Sequence, residues 1–131
     1  MSELQATFQP TENYLLITGH GERDDLASIV DASKRIDELV KQFQNNYLLV
    51  DYREVKFNFP LTNIFDLIRV LETRMPNYKN VKIAAVLSEM NLSFGKYWKD
   101  IAQKRGFDFM FFEDFVSAEK WLIAKRKGVT S

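Results

Sequence analysis

Two apolar runs without polar alternation constrain this chain more than any other feature. In Asn46-Tyr47-Leu48-Leu49-Val50-Asp51-Tyr52-Arg53 the apolar stretch stops abruptly at an acid, and Val81-Lys82-Ile83-Ala84-Ala85-Val86-Leu87 gives way in the same manner to Ser88-Glu89. A strand with one wet face alternates in polarity. A run that does not alternate fits a strand covered on both faces, as in the middle of a parallel sheet. The rest of the chain must then supply the helices that cover the two runs.

Those helices are legible. Leu26, Ile29, Val30, Ile36, Val40 and Phe43 recur at three- and four-residue steps, with Asp24 or Asp25 as N-cap and Asn45-Asn46 as the stop. Ile64, Leu67, Ile68, Leu71 and Met75 mark a second helix, capped by Thr62 and ended by Pro76-Asn77. A third carries Phe94, Tyr97, Trp98 and Ile101 behind a Ser93 cap, with Gly106 placed for a left-handed residue past its end. Asp114 caps a fourth bearing Phe115, Ala118, Trp121 and Leu122, and Lys125-Arg126-Lys127 suits the negative end of that helix. Leu4, Ala6 and Phe8 alternate as a strand with one wet face, Pro10 to Asn13 forms a turn, and Tyr14 to Thr18 completes a hairpin. Phe107 to Phe112 is a last strand. The connection from Glu54 to Pro60 has no period that assigns it.

The predicted order is β-β-α-β-α-β-α-β-α, an α/β fold. It consists of an N-terminal hairpin strand followed by four βα units, with a mostly parallel five-stranded sheet whose first strand lies antiparallel at one edge. At 131 residues the expectation is one domain over the whole length, large enough for a core without disulfides. Eighteen basic and eighteen acidic residues cancel, which leaves no long-range field to gather nucleic acid or anionic membrane. The absence of cysteine removes thiolate and zinc-thiolate chemistry, and a single histidine argues against a histidine metal site. No segment has the apolar length of a membrane span, and Met1-Ser2-Glu3-Leu4-Gln5 does not read as a signal peptide. The expected location is the cytoplasm.

The stretch Leu48 to Phe57, running on into a helix at Leu61, resembles the centre of the STAS domain, the family that includes the anti-sigma-factor antagonist SpoIIAA. In that family an apolar strand ends in Asp, a Val and an aromatic or aliphatic residue follow, and Asp-Ser opens the next helix. The hairpin start and the closing Phe112, Ala118, Trp121 and Leu122 are similar to the SpoIIAA-like group that joins STAS domains with lipid-binding proteins. In the phosphorylatable members the acceptor serine sits at the helix N-terminus, where free N–H groups favour a phosphate. Laid on that pattern, Phe59-Pro60 stands where Asp-Ser should be, and neither residue accepts a phosphoryl group. The resemblance therefore implies a bacterial, non-catalytic regulatory module without cofactor or metal, docking a protein partner and lacking the phospho-switch. Its candidate partner-binding residues are Phe57, Asn58, Phe59, Pro60, Thr62 and Asn63. Exposure of Phe59 makes it an anchor; insertion into the core removes it.

Two alternatives stand beside this. The first is a small carrier or sensor of an apolar ligand or lipid, which requires a cavity among Phe and Met side chains between sheet and helices. The second is an acidic rim at the strand ends (His20, Glu22, Asp51, Arg53, Ser88, Glu89, Glu113, Asp114) that could hold Mg²⁺, against the plainer reading that these acids cap helices or tie loops. A receiver domain is excluded, because the first parallel strand ends in Gly19-His20-Gly21 rather than acids and no lysine follows Phe112. A dinucleotide fingerprint is excluded by Asp24 at the third glycine position; a turn of positive φ accounts for both glycines. His20 lacks a nucleophile or acid at a motif spacing, and Trp98 and Trp121 read as core or interface residues. A homodimer through helix faces or the edge strand is open.

Overall fold

Sheet order follows chain order. The structure, a computed structural model, describes residues 5–128, so the Leu4 assignment lies outside the described residues. Strands β1 (Gln5–Pro10), β2 (Leu15–Arg23), β3 (Tyr47–Phe57), β4 (Lys82–Leu87) and β5 (Asp108–Phe112) are hydrogen-bonded in that sequence. The β1–β2 pair is antiparallel and the others are parallel. The helices are α1 (Leu26–Phe43), α2 (Thr62–Arg74), α3 (Leu92–Lys104) and α4 (Phe115–Arg126). The mostly parallel five-stranded sheet expected from the sequence is present, with Leu48 opposite Ile83, Leu49 opposite Ala84 and Val50 opposite Ala85.

Because each crossover joins neighbouring strands in one direction, right-handed connections send α1, α2 and α3 to the same face. Their inward residues (Ile29, Val40, Leu67, Ile68, Phe94, Ala102) pack there with Leu15, Ile17, Leu48, Val50 and Phe109. Helix α4 follows the last strand and crosses to the other face, where Ala118 and Leu122 meet Tyr14, Leu49, Ala84 and Val86. Successive residues of β3 point to opposite faces, so Leu48 and Leu49 are both fully buried, one under each layer. This is why the run shows no alternation. Thr7, Gln9, Thr18 and His20 are exposed on the part of the sheet beyond α4. Ala6 and Phe8 on the other face of β1 are exposed as well; at this open edge Phe8 meets, among aromatic rings of the described residues, only that of Phe43.

Local differences from the sequence reading have physical causes. Asp25 is the N-cap of α1, its carboxylate accepting from the Ser28 N–H at 2.9 Å, and Asp114 does the same for α4 through Ser117 at 2.8 Å. Thr62 and Ser93 are not caps: each lies inside the first turn, and Leu61 and Asn91 occupy the cap positions without a side-chain bond. Pro10 ends β1 opposite Leu15 rather than lying in the turn, which Thr11 closes by donating its hydroxyl to the Tyr14 carbonyl at 2.8 Å. Gly106 follows α3 with φ +90°, as expected.

Truncating Leu48→Ala removes contacts from a site with no exposure. The expected loss is about 2–5 kcal/mol of unfolding free energy, seen as a lower urea midpoint at unchanged slope.

Candidate functional site

β2 and β3 do not stop where the sheet does. β4 ends at Leu87, opposite Tyr52, while β2 and β3 continue paired as far as Arg23 and Phe57. Gly19-His20-Gly21, read from the sequence as a turn, is therefore the interior of β2, and the unassigned Glu54–Phe57 is the end of β3. Between Thr18 opposite Asp51 and His20 opposite Glu54, β3 carries one extra residue. The bulge moves its side-chain phase by one, so Leu48, Val50 and Tyr52 are succeeded on the helix side by Val55 and Phe57. β2 keeps its phase. Leu15, Ile17, Gly19 and Arg23 all turn towards the helices.

Gly21 has φ 108°, the positive value expected. Gly19 serves a different need: a Cβ there would stand 2.7 Å from Cε1 of the Tyr52 ring. Tyr52 lies across Gly19, and Arg23 lies across Tyr52, its guanidinium carbon 4.7 Å from the ring centroid. The Arg23 Nη2 also donates to the Tyr52 hydroxyl. Arg23 is only 2% exposed, and its Nε has no hydrogen-bond partner. Burial pushes its pKa below the usual arginine value, against the favourable influence of the Tyr52 and Tyr78 phenols. No carboxylate pairs with it among the described residues.

Beside this group, between the sheet and the helices, lies a cavity of about 70 Å³. Arg23 lines it together with Ile36, Val50, Ile83, Phe111 and Trp98. Trp98 Nε1 is likewise buried without a partner. The Tyr78 hydroxyl, also on the lining, donates to the Ser33 carbonyl at 2.5 Å. Sequence reading missed Arg23 because the strand was ended at Thr18, five residues too early; the parity of Leu15 and Ile17, carried on, would have reached it.

The six residues singled out as partner-binding divide between core and surface. Phe57 is half-buried and stacks on Phe94 with centroids 4.9 Å apart. Phe59 is 6% exposed, set edge-on to the same ring, so in this conformation it is a core residue rather than an exposed anchor. Asn58, Pro60 and Thr62 are exposed and Asn63 is half-buried. Asn58 donates its side-chain N–H to Asp24 at 2.8 Å and its backbone N–H to the Arg23 carbonyl, which ties the loop to the end of β2. The apolar exposure sits one step further on, at Leu61 (45%) and Phe65 (44%), a turn apart on α2.

Two of the rim acids are each engaged by a neighbour in the chain. Asp51 accepts from Arg53 Nε at 2.9 Å and Nη2 at 2.7 Å, contacts that hold its carboxyl below the usual range. Asp114 is held low by the Ser117 backbone and hydroxyl that it caps. Among the described residues, no three of His, Asp and Glu are grouped to share a cation. His20 projects from the exposed part of β2. Asn91 ties the rim to the ribbon instead, donating to the Val55 carbonyl at 2.9 Å.

This arrangement is the SpoIIAA-like fold. Among solved structures it is similar to an anti-sigma factor antagonist from Mycobacterium paratuberculosis, at 12% identity and a TM-score of 0.61 over 92% of this chain and 94% of that one. It is also similar to an uncharacterised protein of the DUF3478 family with a SpoIIAA-like fold from Shewanella loihica, at 16% identity and a TM-score of 0.57 over 93% and 95%. No protein-family model and no curated protein matches the sequence. Among the described residues, no helix is long and apolar enough to cross a membrane.

Gly19→Ala forces the Tyr52 ring off a position held by Arg23, and is expected to cost about 1–3 kcal/mol in a denaturant titration. Alkali provides a second check. Burial and the bond to Glu119 push the Tyr14 phenol up from 10.0 to about 12, and burial also raises Tyr78. A raised phenol pKa means that folding favours the neutral form. The contribution is therefore complete below about pH 10 and is lost as the pH rises through 12. Thermal melts across that range should fall with pH, and tyrosinate absorbance from these two residues should appear together with unfolding.

Proposed function

We propose that the chain is a non-catalytic regulatory module of the STAS type, acting in the cytoplasm by docking a protein partner on the start of α2. The observation that carries this reading is the stripe Leu61, Phe65, Arg69 at four-residue steps along that helix, all exposed. The inner side of the same helix, Ile64, Leu67, Ile68 and Leu71, is sealed in the core, so the stripe is held on a rigid support. Arg105 stacks on Phe65 with its guanidinium carbon 5.4 Å from the ring centroid and pairs with Glu72 at 3.1 Å, which holds the ring in place. Arg69 has no ion pair among the described residues. The complementary partner presents an apolar ridge followed by a carboxylate. Met90, 75% exposed, projects from the turn that follows β4, whose Asn91 is bonded to the end of β3 at Val55. Asn58, Pro60 and Thr62 border the stripe, and Phe57 and Phe59 support it from beneath. With Phe59-Pro60 in place of Asp-Ser, docking is not switched by phosphorylation at the family's serine position.

A second reading is favoured by the cavity: a module that senses a small apolar ligand. Its volume, about 70 Å³, is roughly half that of a cavity of ~150 Å³ that takes up benzene. That size supports a small ligand over a lipid.

Phe65→Glu tests the docking reading. The tagged variant should lose a partner that the wild-type protein retains at native expression, with an unchanged melting temperature. Equal retention by both, or by Leu61→Ser, would end the assignment of this surface.

A further inference from the structure

We infer that the cavity beneath the β2–β3 ribbon binds a small carboxylate with a short apolar body, the carboxylate held by Arg23. The inference deepens the ligand-sensing reading and rests on it. Arginine stays protonated, and a guanidinium removed from water with no carboxylate partner is a large cost to a fold. A methionine would fill the same space without that cost. Tyr52 compensates only in part: its ring and hydroxyl engage one side of the guanidinium and leave Nε without an acceptor.

Three features select the ligand chemistry. Both unpartnered polar atoms on residues of the lining, Arg23 Nε and Trp98 Nε1, are donors, so the missing component is an acceptor. The third unpartnered atom, Asp37 Oδ1, belongs to a residue outside the lining. Arg23 is the single charged residue of the lining, which matches the one negative charge of a carboxylate better than the higher charge of a phosphate ester. The remaining wall near it, Ile36, Val50, Ile83 and Phe111, offers no further hydrogen bonds and suits hydrocarbon. Scaled from the benzene cavity, the space takes a body of about three carbons.

Butanoate and butan-1-ol share a chain and differ in the charged head, so titrating each into the full chain by calorimetry separates head from body. Butanoate is expected to bind at least tenfold more tightly than the alcohol. In ¹H–¹⁵N spectra it should shift the indole N–H resonance of Trp98 and leave that of Trp121 in place. R23M should abolish the preference for the acid while keeping or raising the melting temperature of the free protein. If R23M does not fold, Trp98→Phe serves instead and should weaken butanoate severalfold without affecting butanol. Equal binding of acid and alcohol, or an acid preference that survives loss of these side chains, overturns the role of Arg23 and leaves the apolar cavity standing. Failure of both compounds to bind at tens of millimolar overturns the cavity reading as well.

Discussion

The extra residue of β3 between Asp51 and Glu54 sets the geometry of the whole working end of the molecule. Without it, period-two alternation would send Glu54 and Lys56 under the helices and Val55 and Phe57 into water. With it, Tyr52, Val55 and Phe57 all face the helix layer. Tyr52 then lies over β2 so closely that only glycine fits beneath it, and Gly19 is there. Tyr52 in turn supplies the ring on which Arg23 rests. One backbone irregularity thus requires a glycine, positions an aromatic ring and allows a cation to be buried.

The two halves of the sheet have different tasks. Around Leu48, Leu49, Ala84 and Val86 the structure is apolar on both faces and sealed, and stability is concentrated there. At the ribbon the sheet narrows to two strands, and the helix layer closes over it with rings rather than aliphatic side chains. Phe57, Phe59, Phe94 and Trp98 contact one another edge-on or stacked. Rigid rings leave gaps that branched aliphatics would fill, and the cavity borders this cluster at Phe57 and Trp98. Buried polarity gathers there too, in Arg23, Tyr52, Tyr78 and Asn91.

Helix α2 belongs to both candidate surfaces. Leu71 lines the cavity from its inner side, and Leu61, Phe65 and Arg69 face outwards. Its N-terminus carries no side-chain cap, in contrast to α1 and α4, where Asp25 and Asp114 accept from the first turn. The Phe59 ring, wedged against Phe57 and Phe94 just before the helix, holds the entry to α2 by packing where a side-chain cap is missing.

The sequence by itself determined the layers: non-alternating runs at Leu48–Val50 and Ile83–Leu87 require cover on both faces, and three- and four-residue apolar spacing supplies it. The succession of elements, the antiparallel edge and two of the four caps were legible because each depends on residues close together in the chain, whereas the order of the strands across the sheet was not. Tertiary structure alone decided the candidate site. A bulge reverses the strand's polarity pattern in the middle of a word, so Glu54–Phe57 had no readable period and β2 was ended before Arg23. Whether Phe59 points in or out depends on Phe94, far along the chain, and no local spacing encodes that contact. The cavity is a mismatch of shape among side chains brought together from β2, β3, β4, β5 and three helices. Such a void has no signature in residue order, because it is made by what the neighbours fail to fill.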